Sequence, residues 1–273
     1  MSKITKIIIC CICSFLFLMP LAEFSVNQIR SDSVKVALAG VEEESQGINF
    51  TVSEILAQNV QSKIEKEFQR AVSLVRYLIK TDNQINYLLF KTASSNPKSK
   101  VILGLNDHLI ERNYIRNANR FGRANEQKLN TVVEKLKRVQ SFLSTKGVNL
   151  IFVISPNKPS FYPEVIPPRY VIPGADTRFD PRQFITAQLR KEKVNFIDGF
   201  ELLKDKERIL KEPMFATSGT HWNELGGCLV ASEIMKKAQS LFYTEIRQID
   251  CQIDGTRERP VYQDTDLLQL ANF

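Results

Sequence analysis

The chain has 273 residues, 43% of them hydrophobic, and a formal net charge of +7. This length and apolar content allow one sizeable folded domain with additional segments, and they exclude a disordered protein. The basic residues alternate with acidic ones along helical patterns, which favours a solvated surface and argues against a nucleic-acid-binding stripe.

The first segment predicts export. Lys3 and Lys6 precede an uncharged apolar run over residues 7–22, which is the arrangement of a secretory signal or an N-terminal membrane anchor. The run is long enough to span a bilayer, and no clean small-residue cleavage site follows it. We therefore expect residues 1–24 to be an uncleaved anchor, with a cleaved signal peptide as the alternative. The positive residues keep the N-terminus in the cytoplasm, so the rest of the chain is exported.

Residues 25–97 predict a linker followed by an amphipathic helix. Residues 25–50 are polar and mixed. From Thr51 to about Lys80, apolar residues recur at three- and four-residue steps, which is the helical period. A stalk or docking helix explains this pattern, and a helix lying on a membrane is the alternative.

Residues 98–273 predict a domain in which strands and helices alternate. In chain order, the patterns predict a hairpin over Val101–Ile115 with its turn at Asn106-Asp107, a helix over Asn125–Lys146, a strand over Val148–Ser155, a proline-rich loop over Pro156–Pro168, a helix from Pro181 to about Lys191, a strand over Val194–Asp198, and helices over Gly199–Leu210 and Glu224–Phe242. Two continuously apolar strands separated by a helix are typical of a parallel sheet covered by helices on both faces.

Two cysteines, Cys228 and Cys251, lie in the exported part of the chain. In an oxidising compartment they form either a disulfide or a pair of buried free thiols, and the sequence leaves both possibilities open.

Two loops are candidates for a ligand site, because ligands of open α/β sheets bind beyond the carboxyl ends of the strands. The first follows the Val148–Ser155 strand and contains Lys158, which is either a cation facing a substrate or a solvated loop residue. The second contains His221 directly before a helix, with Asn223 as its N-cap. A histidine in a polar loop at this edge is a candidate for acid–base chemistry.

The same loops carry a resemblance to a known family. The stretch V-N-L-I-F-V-I-S-P-N-K-P-S-F-Y-P-E-V-I-P (residues 148–167), then V-N-F-I-D (194–198) and T-H-W-N-E-L-G-G (220–227), resembles the AlgX/AlgJ family. The stretch V-I-L-G-L-N-D-H-L-I-E-R-N-Y-I (101–115) is similar to the family's opening. The family's members are SGNH-hydrolase-like O-acetyltransferases of exported polysaccharides such as alginate. The resemblance implies an α/β, SGNH-hydrolase-like three-layer fold with a mainly parallel sheet.

The resemblance also implies a site. In the family, a serine attacks the acetyl donor, a histidine takes and returns its proton, and an aspartate orients the imidazole. His221 matches the catalytic histidine. The residues that the resemblance places around a substrate are Asn157, Lys158, Tyr162, Trp222 and Asn223.

Two departures from the family pattern concern the chemistry. Gly219 occupies the position of the family's aspartate, and no Gly-Asp-Ser segment occurs in the 273 residues. We therefore expect a domain that is incomplete at its C-terminus and impaired or inactive in acetyl transfer by the serine route.

The first functional interpretation is an exported O-acetyltransferase-like protein of cell-surface polysaccharide acetylation. Its expected partners are an exported polysaccharide and a membrane-bound O-acyltransferase that supplies the acetyl group. Its expected location is the bacterial inner membrane with a periplasmic domain, or the periplasm if the N-terminal segment is cleaved. The alternatives are a non-catalytic scaffold that binds a glycan or the acyltransferase, and a disrupted gene product without a retained role.

Other classes of function are disfavoured by the sequence. The two histidines, His108 and His221, have no partners at metal-ligand spacing, so we expect no metal. No glycine-rich loop joins a strand to a helix, so we expect no nucleotide cofactor. An exported protein without clustered basic stripes is not expected to bind nucleic acid.

Overall fold

The structure is a computed structural model that describes residues 2–29, 59–120, 124–175, 177–242, 245–255 and 264–273, together with Leu38 and Pro260. The chain divides into two compact units. One unit comprises residues 1–95 and 269–273, and the other comprises residues 96–268. The predicted linker falls largely outside the described residues, as does the first part of the predicted amphipathic helix.

The N-terminal unit is helical. Helix α1 spans Lys3–Ile29. It contains an apolar stretch, Lys3–Glu23, that is long and apolar enough to cross a membrane. Apolar side chains along this stretch are exposed, as expected for a segment that meets lipid or a targeting receptor.

The predicted single helix ending near Lys80 is wrong in the described part of the chain. Helix α2 spans Asn59–Ala71, and helix α3 spans Ser73–Phe90, ten residues beyond the predicted end. Val72 between them is extended and fully buried. The Glu23 carboxylate accepts hydrogen bonds from the backbone N–H groups of Ser73 and Leu74, at 2.8 and 3.2 Å. A cap from a distant segment therefore begins a new helix, which the periodicity did not show.

The larger unit begins with the predicted hairpin. Strand β1, Val101–Leu103, pairs antiparallel with strand β2, Leu109–Glu111. Asn106 and Asp107 form the turn in the left-handed region, with φ of 54° and 57°, which asparagine and aspartate tolerate better than most residues. The hairpin ends earlier than predicted, because helix α4 begins at Arg112.

The remaining elements include all the other predicted helices and strands in the predicted order, together with three short helices that the sequence patterns did not predict. They are helix α4 (Arg112–Ala118), helix α5 (Glu126–Ser144), strand β3 (Phe152–Ile154), helix α6 (Lys158–Phe161), helix α7 (Pro181–Lys191), strand β4 (Phe196–Asp198), helix α8 (Gly199–Leu210), helix α9 (Glu224–Phe242) and helix α10 (Asp266–Leu270). Asn125, Asp180 and Asp198 cap α5, α7 and α8 with their side-chain oxygens. The bounds of the four predicted helices, α5, α7, α8 and α9, agree with the sequence patterns to within two residues. The helices that were not predicted are α4, α6 and α10.

Strands β3 and β4 pair in parallel, with Phe152 opposite Phe196 and Ile154 opposite Asp198. Side chains alternate between two faces of this pair. Phe152 and Ile154 pack with Val133 of α5 and Leu189 of α7. Val153, between them, packs into the larger core cluster on the other side.

The larger core cluster joins the hairpin, the proline-rich loop, α8 and α9. Its buried members include Ile102, Ile110, Phe161, Leu203, Met214, Phe215 and Val230. The predicted α/β arrangement is thus confirmed, with helices on both faces of a parallel pair. In the described residues each strand is three residues long, which is shorter than the apolar runs predicted.

Cys228 at the start of α9 is disulfide-bonded to Cys251, with Cα atoms 5.9 Å apart. The sequence left open a disulfide or two free thiols, and the structure has the disulfide. The bridge fixes the segment after α9 to the helix itself.

Candidate active site

The loop before α9 is held in a fixed shape by its own backbone. Phe215 and Trp222 form an isolated antiparallel bridge, and the Asn223 N–H donates to the Met214 carbonyl at 2.9 Å. The Asn223 side chain caps α9 by accepting from the Gly226 N–H at 2.9 Å, and it donates to the Pro213 carbonyl at 2.7 Å. The predicted N-cap is confirmed, and Asn223 also closes the base of the loop.

His221 lies at the tip of this loop with its side chain 72% exposed. Its Nε2 atom is 3.7 Å from Oδ2 of Asp266, which is beyond hydrogen-bonding distance but close enough for an ion pair. The imidazole is therefore open to a ligand on most of its surface. Its neighbour Trp222 is partly buried and packs against the larger core cluster, so the tryptophan fixes the loop.

Lys158 lies beneath the loop, with no exposed surface. Its ammonium donates to the carbonyls of Leu109, Thr217 and Gly219, at 2.9, 2.8 and 2.6 Å. Burial lowers the pKa of Lys158 to about 7, against the opposing effect of the Asp266 and Asp264 carboxylates. The lysine thus uses its three donors to tie the histidine loop to β2, away from solvent.

Asn157 lies at the edge of a different feature, a cavity of about 850 Å³ beyond the carboxyl end of β3. Its side-chain oxygen caps α6 by accepting from the Ser160 N–H at 3.0 Å. The cavity wall also includes Ser155, Arg120 and Arg182. The first candidate loop thus reaches the ligand edge predicted for an open α/β sheet.

Tyr162 is buried and borders a second cavity, of about 480 Å³. Its hydroxyl hydrogen-bonds the Glu207 carboxylate and accepts from the Met214 N–H. Burial, together with the bond to Glu207, raises the pKa of Tyr162. The phenol therefore stays neutral and acts as a core hydrogen-bonding group.

His108 borders the same second cavity. Burial and the nearby Lys158 charge lower its pKa, while Glu164 opposes them. Its ring lies edge-on to the ring of Tyr162, with centroids 6.0 Å apart. His108 is thus a neutral packing histidine, and His221 is the histidine of this chain that faces solvent.

The structure brings only some of the predicted site residues together. Lys158, Trp222 and Asn223 support the loop that carries His221, whereas Asn157 and Tyr162 border two separate cavities. The described residues contain no group of three or more potential metal ligands. Asp198, at the end of β4, caps α8 and pairs with Arg182 at 2.7 Å, so it does not serve His221.

Sequence reasoning missed Asp266. It is 45 positions from His221, and no local pattern links the two. The only signal was its place at the head of a short helical pattern, Asp266–Leu270, where an aspartate accepts backbone hydrogen bonds. Folding alone brings it to the histidine loop.

Comparison with known proteins bears on the whole larger unit. The family model described as "SGNH hydrolase-like domain, acetyltransferase AlgX" matches residues 101–272. Comparison with curated protein sequences gives no significant match.

A solved structure, the O-acetyltransferase domain of Pseudomonas putida AlgJ, is 19% identical. Its match has a TM-score of 0.42 and covers 54% of this chain and 50% of that one. The chain therefore spans about half the length of this solved relative. By the extent of the family match, the chain belongs to the AlgX family of SGNH hydrolase-like acetyltransferase domains.

Proposed function

We propose that the chain is an exported O-acetyltransferase-like protein that acts in the acetylation of a cell-surface polysaccharide of the alginate type. The observation that carries this proposal is the exposed imidazole of His221 on a rigid loop, within a domain of the AlgX family. A membrane-bound O-acyltransferase is the proposed source of the acetyl group, and α1 is the proposed anchor in the inner membrane.

In this function His221 acts as the general base and acid. Its imidazole takes a proton from the attacking hydroxyl as the new bond to the acetyl carbon forms, and it returns the proton to the leaving oxygen as the old bond breaks. Transfer by the serine route also needs a serine hydroxyl beside the imidazole, as the nucleophile. Among the described residues, no hydroxyl is hydrogen-bonded to His221. We propose that these 273 residues alone transfer acetyl groups only weakly by the serine route.

The second candidate function is a non-catalytic scaffold that binds a glycan. The cavity of about 850 Å³ favours it, because its wall combines apolar side chains with arginine, asparagine and serine. Such a mixture of apolar surface and fixed polar groups is typical of small-molecule and sugar sites.

The two candidates are separated by an acetyl-release assay on the full chain in detergent. The substrates are p-nitrophenyl acetate and acetylated alginate oligosaccharides. We expect His221→Ala to lower any release to background, with His108→Gln as the matched control at the other histidine. Equal rates in the parent chain and in His221→Ala would remove His221 from the mechanism.

Absence of release in the parent chain would contradict catalysis by these residues and leave the scaffold. Glycan binding to the parent chain, measured by calorimetry, would then support the scaffold, and absence of binding would contradict it.

A further inference from the structure

A distant segment, residues 264–268, lies along the histidine loop and is hydrogen-bonded to it. The Ser218 hydroxyl donates to the Asp264 carbonyl at 2.5 Å, and the Leu268 N–H donates to the Ser218 carbonyl at 3.2 Å. The Thr220 N–H donates to Oδ1 of Asp266 at 2.8 Å. Three bonds on one short stretch fix the segment beside the loop.

This segment lies close to the point where a side chain at position 219 would begin. A Cβ atom built on Gly219 would lie 3.1 to 3.2 Å from the backbone of Asp264. Such a contact is tighter than ordinary van der Waals packing, so the neighbouring backbone would have to move. A side chain at position 219 would therefore press on the Asp264 backbone, which would have to shift by a few tenths of an ångström.

The segment also brings a carboxylate to the histidine. Oδ1 of Asp266 is held by two backbone donors, Thr220 N–H at 2.8 Å and Leu267 N–H at 2.7 Å. Its other oxygen, Oδ2, is the atom 3.7 Å from Nε2 of His221. The carboxylate is therefore fixed on the Nε2 side of the exposed imidazole, at ion-pair distance.

We propose that Asp266 is the positioning residue for His221 and takes the role that the family pattern gives to position 219. This inference rests on the proposed function for its catalytic meaning. Asp266 faces Nε2, so the proton of the neutral ring stays on Nε2 and the lone pair is on Nδ1. Nδ1 then accepts the proton from the attacking hydroxyl, and the Asp266 carboxylate stabilises the resulting imidazolium.

Other charged groups belong to the same surroundings. The Lys158 ammonium lies beneath the loop and interacts electrostatically with the carboxylates of both Asp266 and Asp264. The ammonium and the Asp264 carboxylate act on the same loop, so the test needs a control that alters the local charge without removing the carboxylate at 266. Asp264→Asn serves this purpose, because the hydrogen bond of Asp264 with Ser218 uses its backbone carbonyl.

The experiment is alkylation of His221 with bromoacetate in the full chain, after its free thiols have been blocked. Peptide mapping isolates His221, and amino-acid analysis separates the products alkylated at Nδ1 and at Nε2. In the parent chain we expect Nδ1 to be the main site, because Asp266 keeps the ring proton on Nε2 and the reactive lone pair is on Nδ1. In Asp266→Asn we expect the ratio of Nδ1 to Nε2 product to fall about two- to fivefold, the range that exposed ion pairs support.

Asparagine keeps an oxygen for the Thr220 N–H, and circular dichroism with the melting temperature checks that each variant folds. An unchanged product ratio in folded Asp266→Asn, or the same fall in Asp264→Asn, would overturn the inference. The readout does not depend on acetyl transfer. A changed ratio in a chain without acetyl-releasing activity would therefore reject the proposed function while supporting the pairing of Asp266 with His221.

Discussion

At the scale of single residues, Gly219 departs from the family pattern, which has an aspartate two residues before the catalytic histidine. The family resemblance places an aspartate at this position, but a Cβ atom there would lie only 3.1 to 3.2 Å from the Asp264 backbone. Gly219 therefore lets the Asp264 backbone lie beside the histidine loop without a tight side-chain contact.

We predict that Gly219→Asp lowers the free energy of unfolding by about 1 to 3 kcal/mol, the usual cost of overpacking. Gly219→Ala is the matched control, because it adds the Cβ atom without the charge and is expected to show most of the same loss. Urea denaturation of the full chain measures both variants. Unchanged stability in both would mean that residues 264–268 do not pack on Gly219 in solution.

The buried ammonium of Lys158 makes the stability of the folded chain depend on pH. Burial lowers its pKa to about 7 from the ordinary value of 10.5. Between these two values the unfolded chain binds more protons than the folded chain at this site, so folded stability rises with pH. Below about pH 7 the ammonium is charged in both states, and above about 10.5 the amine is neutral in both, so the dependence ends.

We predict that the free energy of unfolding of the parent chain includes a rise between pH 7 and pH 10, of at most about 1.4 kcal/mol per pH unit. Lys158→Met removes this contribution and leaves three carbonyls without their donor. Lys146→Met, at an exposed lysine, is the control and should keep the parent's slope. Denaturation curves at several pH values measure the slope, and equal slopes in the parent chain and Lys158→Met would contradict the prediction.

At the scale of secondary-structure elements, the helices were better predicted than the strands. Helix α7 begins and ends at the predicted residues, because Asp180, Pro181 and the basic last turn are local signals. Strand β3 is shorter than its apolar run, because a strand extends only as far as a partner pairs with it. The break at Val72 was missed because its cap comes from Glu23, 50 residues away.

Helix α9 illustrates how an element positions the site. Asn223 caps it and also closes the histidine loop through the Pro213 carbonyl. We predict that Asn223→Ala costs about 1 kcal/mol for the cap, plus a further loss for the bond to Pro213. The backbone N–H at position 223 donates to the Met214 carbonyl. In Asn223→Ala this N–H should exchange its hydrogen faster.

Asn125→Ala is the matched control for the cap of α5. It should lose the cap energy without changing exchange in the histidine loop. Hydrogen-exchange mass spectrometry of both variants checks this difference. Equal exchange of the loop in the two variants would show that Asn223 acts only as a helix cap.

At the scale of the whole molecule, the state of the disulfide in cells should depend on whether the N-terminal helix α1 exports the chain. A disulfide persists in an oxidising compartment and is rare in the cytoplasm. If α1 exports the chain, Cys228 and Cys251 should resist thiol labelling in cells until a reductant is added. In a chain lacking residues 2–24, both should be labelled without reduction.

Acid trapping, denaturation and peptide mapping distinguish these two cysteines from Cys10, Cys11 and Cys13 in α1. Ready labelling of Cys228 and Cys251 in the full chain would contradict export to an oxidising compartment. Equal protection in the shortened chain would show that the disulfide does not report the compartment.

The sequence by itself determined the local features of this protein. The apolar run of α1, the capped helices, the Asn106-Asp107 turn and the exposed polar setting of His221 all follow from neighbouring residues. The family was also identified from stretches of contiguous sequence, and the match over residues 101–272 confirmed it.

Only the tertiary structure decided which distant groups meet. It buried Lys158 under three carbonyls, joined Cys228 to Cys251, separated Asn157 and Tyr162 into two cavities, and placed Asp266 beside His221. The physical reason is that hydrogen bonds, disulfides and charge pairs act over a few ångströms in space. Sequence periodicity specifies which face of an element is buried, but it does not specify which residue of another element will lie against it.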